Sequence, residues 1–115
     1  MADDCIFCKI ANGQIPVPLV YQDERVAAFR DINPQAPTHI LLVPRAHVTG
    51  VPALTDADGP LLAALLTTAA ALARQEGIAE SGYRLVINAG PDAGQTVDHL
   101  HVHLLGGRAL GWPPG

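Results

Sequence analysis

Nine residues near the C-terminus, Val97-Asp98-His99-Leu100-His101-Val102-His103-Leu104-Leu105, constrain this chain more than any other stretch. Three of the five histidines fall here, alternating with aliphatic residues. Successive side chains of an extended strand point to opposite faces, so a strand puts all three imidazoles on one side, spaced by about 6.6 Å. At that spacing the rings can line one small pocket, while Leu100, Val102 and Leu104 turn into a core. A half-buried strand whose polar face happens to be histidine would show the same alternation. Burying a ladder of imidazoles without partners is costly, however, and histidine is the side chain best suited to gain or lose a proton near neutral pH. The stretch therefore reads as a site as well as a strand.

The remaining pattern builds a sheet around it. Residues 5–12 predict a short helix with Ile6, Phe7 and Ile10 on one face, stopped at Gly13. Two prolines, Pro16 and Pro18, lead into a strand at 19–22, and Asp23-Glu24-Arg25 turns the chain into a second strand at 26–30. Residues 31–37 form a proline-punctuated loop. The strand at 38–43 is apolar on both faces and should be central, with His39 at its head. Residues 58–76 give one long helix, with a stripe of Leu61, Leu62, Leu65, Leu66, Ala69, Leu72 and Ala73. Asp58 serves as N-cap, Pro60 lies in the first turn and Gly77 ends the helix. A fourth strand at 83–88 and a glycine-rich connection at 89–96 precede the histidine strand. Five hairpin-joined strands with two helices predict an α+β fold, an antiparallel sheet covered on one face, in a single domain over 1–115.

Composition narrows the function. The chain has 115 residues, 49% hydrophobic and 16% charged, with a net charge of −4. An acidic balance argues against nucleic acid or an anionic membrane as partner, since both need a basic patch. It leaves room for a nucleotide, whose phosphate backbone amides can hold. The acidic N-terminus lacks the apolar core of a signal peptide, and the two cysteines are the full complement; a cytoplasmic protein is expected.

Two constellations carry chemistry. His101, the middle ring, is flanked by His99 and His103, which can fix its tautomer as a nucleophile requires. Gly94-Gln95-Thr96 just upstream offers backbone N–H groups and a hydroxyl suited to a tetrahedral anion. Separately, Cys5-x-x-Cys8 supplies half of a tetrahedral zinc site, which His47 and one of the clustered histidines can complete. Four protein ligands would make such a zinc structural. Free cysteines are also commonly just small buried hydrophobes.

His99-Leu100-His101-Val102-His103-Leu104-Leu105 resembles the signature of the histidine-triad (HIT) family. The likeness continues through Cys5-Ile6-Phe7-Cys8-Lys9-Ile10, Phe29-Arg30-Asp31-Ile32-Asn33-Pro34, Ala36-Pro37-Thr38-His39, Asn88-Ala89-Gly90 and Gly94-Gln95-Thr96. The Trp112-Pro113-Pro114-Gly115 tail points to the Hint branch, which is purine nucleoside phosphoramidase-like. The resemblance implies that His101 attacks the α-phosphorus to form a nucleotidyl-histidine, with His99 and His39 orienting it and His103 on the phosphate. Gly94 and Thr96 would hold phosphate oxygens beside Gln95, with Asn88 nearby, and Asp31 would accept the ribose hydroxyls. Ile6, Phe7, Phe29, Ile32 and Leu41 would sandwich the purine. It also implies a homodimer sharing one extended sheet, with Trp112 reaching towards the partner's site.

Chemistry of this kind needs no cofactor. Relatives with both cysteines imply a structural zinc on Cys5, Cys8, His47 and His99, which would keep His99 from acting as a free acid. Many members carry serine where Thr96 stands; the hydroxyl survives with an added methyl. The expected activity is hydrolysis of purine nucleoside phosphoramidates or acyl-nucleotides with release of AMP or GMP. Dinucleoside polyphosphate hydrolysis, as in the Fhit branch, and a non-catalytic purine-nucleotide-binding module are the alternatives.

Overall fold

Pro16 and Pro18 hold the chain extended into β1 (Leu19–Gln22), and Asp23 turns it back. The Asp23 Oδ1 accepts from the Arg25 and Val26 N–H groups, each at 2.8 Å. β2 (Val26–Arg30) returns antiparallel, with a bulge in β1 between Leu19 and Tyr21. The computed structural model describes residues 4–115. β3 (Thr38–Pro44) is buried along its whole length, as apolarity on both faces requires. β4 (Tyr83–Val86) and β5 (Val102–Gly106) complete one sheet in the order β1-β2-β3-β5-β4, every pair antiparallel.

The α+β class and five-stranded antiparallel sheet are as the sequence predicts. Two strands are shorter than expected. β4 stops at Val86, leaving Ile87 and Asn88 in the connection, and β5 begins at Val102, so His99 and His101 precede the ladder. The segment before β5 is anchored instead by Leu100 N–H donating to the Val48 carbonyl at 2.6 Å. Alternation survives without ladder pairing: Leu100, Val102 and Leu104 are all buried in the core.

The long helix, α2 (Gly59–Gln75), follows Asp58 as its N-cap. The Asp58 carboxylate caps no α2 amide. It accepts from Thr55 N–H at 2.9 Å, closing a capping box around the short turn Asp56–Asp58. At the other end Ile78 N–H donates to Ala73 O and Gly77 N–H to Arg74 O, with Gly77 at φ +76°. That paired pattern lets glycine stop the helix in the left-handed region and tucks Ile78 into the core. α2 packs Leu65, Ala69, Leu72 and Ala73 on Val26, Ala28, Ile40, Leu42, Val102 and Leu104. Leu66, expected in that stripe, is 48% exposed on the outer side.

The opposite face is not bare, which corrects the one-faced expectation. The short helix, α1 (Ile6–Ala11), lays Phe7, Ile10 and Ala11 on Ala27, Phe29, Leu41 and Val43. The second layer is small because only one and a half turns are available to cover it. It covers β2 and β3 and leaves the His103 side of β5 open to a cleft. Among the described residues, no helix is long and apolar enough to cross a membrane.

Candidate active site

Along β3, residues of one parity enter the α2 core, and His39, Leu41 and Val43 face the α1 side. Register places Leu41 opposite His103, so His39 and His103 become diagonal neighbours, with ring centroids 5.2 Å apart. The edge of α1 and the loop after β2 close a cleft of about 320 Å³ over this patch. Its walls are largely apolar, from Ile6, Phe7, Phe29, Ile32 and Leu41 among others, with Arg30, Asp31, Thr96, His101 and His103 as the polar groups; the Arg30 guanidinium is paired with Glu76. Ile32 is 96% exposed and Ile6 48%. Neither is held in a core, so both form an apolar rim that a flat ring could cover.

Backbone groups settle the state of these rings, because a carbonyl only accepts and an amide N–H only donates. His101 Nδ1 lies 2.7 Å from the His99 carbonyl, so Nδ1 carries the proton and donates. The Nε2 lone pair is therefore exposed, and no hydrogen bond engages it among the described residues. Phe7 meets the ring edge-on at 5.1 Å between centroids, which holds its plane.

A second chain of bonds fixes His103. Gln35 N–H donates to His39 Nδ1 at 3.0 Å, which forces the His39 proton onto Nε2. That Nε2–H donates to His103 Nδ1 at 2.9 Å, which in turn puts the His103 proton on its own Nε2. This atom is buried and has no partner among the described residues, and the ring lines the cleft beside His101, 5.0 Å between centroids. A buried N–H without an acceptor is costly; an anion in the cleft would satisfy it. Burial, then the neighbouring His101 and His39, push the His103 pKa down to about 4. Burial likewise lowers His39, against the opposing pull of Asp31 at 3.5 Å. Asp31, His39 and His103 bring donor atoms within 4.8 Å of one another. With the Gln35 N–H on Nδ1, however, the Nε2 of His39 has no lone pair for a metal.

His99 is turned away from the cleft, which corrects the expectation of three rings lining one pocket. The cause is the late start of β5, which frees residues 99–101 from ladder geometry. Its Nε2–H donates to the Pro44 carbonyl at 2.8 Å, and its Nδ1 faces Cys5 Sγ at 3.2 Å and Cys8 Sγ at 3.5 Å. His47 Nδ1 lies 3.3 Å from Cys8 Sγ, and the four donor atoms all fall within 4.8 Å. Tetrahedral Zn²⁺ with ordinary bond lengths sets sulfur and nitrogen about 3.5 Å apart. The donor set fits, and the Pro44 bond supplies the outer-shell partner that a ligating histidine usually has. Burial and Cys5 push the Cys8 thiol up to about 11; a bound cation would reverse that.

The glycine-rich loop differs from its reading as a free anion cradle. Gly94 N–H donates to Pro91 O and Gln95 N–H to Gly90 O, because a tight turn over Pro91–Ala93 consumes them. The Gln95 side chain staples the loop, accepting from Gly90 N–H and donating to Thr49 O and Val97 O. Only Thr96 reaches the cleft wall; Asn88, Gly94, Gln95 and Trp112 do not line it. Trp112 is 81% exposed, with the Arg84 guanidinium 5.9 Å from its ring. Sequence reasoning missed Arg30 and Ile10, and also Val17 and Val97 in the apolar wall. The positions of the two valines, between two prolines and just before the triad, gave no sign of it.

Comparison with known proteins agrees with this geometry. Residues 12–110 match the model of the HIT domain. The chain is 51% identical over 111 residues to the purine nucleoside phosphoramidase of Escherichia coli K12, covering 96% of this chain and 93% of that one. It is 54% identical over 112 residues to the 14 kDa zinc-binding protein of Zea mays, covering 96% and 87%. The crystal structure of a HIT family hydrolase from Legionella pneumophila superposes with a TM-score of 0.96 at 52% identity, covering 97% of this chain and all of that one. The chain belongs to the histidine-triad (HIT) family.

The depressed His103 pKa makes stability depend on pH. The unfolded ring takes up a proton below about 6.5, whereas the folded one stays neutral down to about 4. Between those values the unfolded state binds more protons, so stability is full above the upper limit and falls as pH drops towards the lower one. Thermal melts should show a lower Tm at pH 5 than at pH 7.5. His103→Asn, which keeps an acceptor for His39, should shrink that difference; an unchanged pH dependence would contradict the assignment.

Proposed function

We propose that this chain hydrolyses purine nucleoside phosphoramidates or acyl-nucleotides, releasing AMP or GMP through a nucleotidyl-histidine intermediate. The observation that carries the reading is the 2.7 Å bond from His101 Nδ1–H to the His99 carbonyl, which leaves a bare Nε2 lone pair in a cleft beside an unpartnered N–H. In this reading Ile6, Phe7, Phe29, Ile32 and Leu41 sandwich the purine, and Asp31 accepts from the ribose hydroxyls. His103 Nε2–H and the Thr96 hydroxyl donate to the phosphate oxygens. The names of the Escherichia coli and Legionella pneumophila relatives support the reaction class.

His101 Nε2 forms a bond to the α-phosphorus, and the bond to the leaving amine or carboxylate breaks with its electron pair on the leaving group. Charge builds on the phosphate oxygens, where fixed donors in a dry cleft act most strongly. His99 cannot deliver a proton, since Pro44 and the sulfurs occupy both its nitrogens; an amine leaving group takes its proton from solvent or substrate. Water then attacks phosphorus and gives its proton to solvent, the P–Nε2 pair returns to the ring, and the nucleoside monophosphate leaves. Gln95 holds the loop that carries Thr96. A homodimer sharing an extended sheet would place the exposed Trp112 near the partner's cleft.

Cys5, Cys8, His47 and His99 would hold a structural Zn²⁺, a reading supported by the name of the Zea mays relative. The metal would tie the start of α1 to the triad and supply no reactive group.

His101→Ala should lower turnover of an adenosine phosphoramidate at least about a thousandfold while AMP still binds in calorimetry. Retained turnover would overturn the assignment. For the metal, elemental analysis of the purified chain should find one zinc per protein, lost in Cys8→Ser together with several kcal/mol of stability. Equal zinc in both proteins would exclude these ligands.

A further inference from the structure

Arg108 lies outside the cleft, and no role in the chemistry has been given to it. Its Nε and Nη2 both donate to the Gln35 carbonyl, at 3.1 and 3.0 Å, and its Nη1 donates to Ala109 O at 2.9 Å. The fork of the guanidinium thus closes on one backbone oxygen from the segment just beyond β5. Gly107 grips the same loop. It sits at φ +90°, and a Cβ there would come within 2.9 Å of the Pro37 Cβ, so only glycine allows the approach.

What this clamp holds is the residue that decides two tautomers. Gln35 N–H is the donor to His39 Nδ1, and His39 Nε2–H is the donor to His103 Nδ1. Resting on the hydrolase reading above, the geometry points to Arg108 as a positioning residue that, through Gln35 and His39, sets His103 with its Nε2–H towards the phosphate. If Gln35 drifts, only the Asp31 carboxylate, 3.5 Å from His39 Nε2 and beyond hydrogen-bond contact, still discriminates between the two nitrogens. His39 can then present a lone pair to His103, and His103 answers by moving its proton to Nδ1. The cleft would meet phosphate with a lone pair in place of a donor. The surrounding contacts do not replace the clamp. The Gln35 side chain bonds Asn33 O, and the Asp31 carboxylate accepts from Asn33 N–H at 2.8 Å, so both act within the loop. The Asp31 N–H donates to His39 O at 3.0 Å, which ties the start of the loop to β3 but leaves Gln35 itself unheld.

The test reads the tautomer directly, without substrate. In ¹⁵N-histidine-labelled protein, two-bond ¹H–¹⁵N correlation spectra at pH 7.5 should show His39 and His103 as single Nε2–H forms. Arg108→Ala should mix the tautomers at both rings while His99 and His101 keep theirs. Arg108→Lys, whose ammonium lacks the fork, should mix them less. With an adenosine phosphoramidate, kcat should fall between about tenfold and a hundredfold in Arg108→Ala, KM should move less than twofold, and Lys should restore part of kcat. If the alanine variant does not fold, the lysine spectra decide. Unmixed Nε2–H signals for His39 and His103 in the folded variants would overturn the role of Arg108. Absence of turnover in the unsubstituted protein would instead overturn the hydrolase reading and leave the spectral result standing.

Discussion

The site depends on backbone carbonyls choosing ring tautomers. An imidazole in water exchanges its proton between two nitrogens, and only one arrangement leaves a lone pair aimed at the cleft. The His99 carbonyl makes that choice for His101, at 2.7 Å, and the Pro44 carbonyl makes it for His99, at 2.8 Å. Both acceptors lie on or beside the central sheet, where the backbone is least free to move. Rigidity at β3 and the approach to β5 thus becomes chemical identity at two rings.

The same economy divides the histidines into two groups. His101 and His103 face the cleft, and His99 turns to Cys5, Cys8 and His47. Because β5 pairs only from Val102, residues 99–101 can bend enough to serve both sides. A fully paired strand would have kept the three rings in one row and left the thiols without a nitrogen partner. The buried N–H of His103, unpartnered among the described residues, carries a cost that an anion in the cleft would relieve.

Much of this was legible in the sequence. Apolarity on both faces marked β3 as central, Asp58 and Gly77 marked the ends of α2, and alternation marked the triad. The Cys-x-x-Cys spacing with His47 gave the second cluster. What could not be read were the contributions of the main chain. Gln35 N–H, His99 O and Pro44 O carry no residue-type signature, since every residue offers a carbonyl and every one but proline an N–H. The glycine loop misled for a related reason: its flexible amides are consumed by its own turn, and the side chain of Gln95 works as a staple. Leu66 fits the helical period but falls on the solvent edge of the stripe, outside the core cluster.

The central claim is that one nitrogen, Nε2 of His101, bonds to phosphorus. Rapid quenching of the unsubstituted protein into alkaline denaturant during turnover of a nucleoside phosphoramidate, followed by peptide mass spectrometry, tests it most directly. A nucleotidyl adduct is expected on the peptide containing 97–105, localised to His101. An adduct on a different residue, or steady turnover with none at any time point, would contradict it.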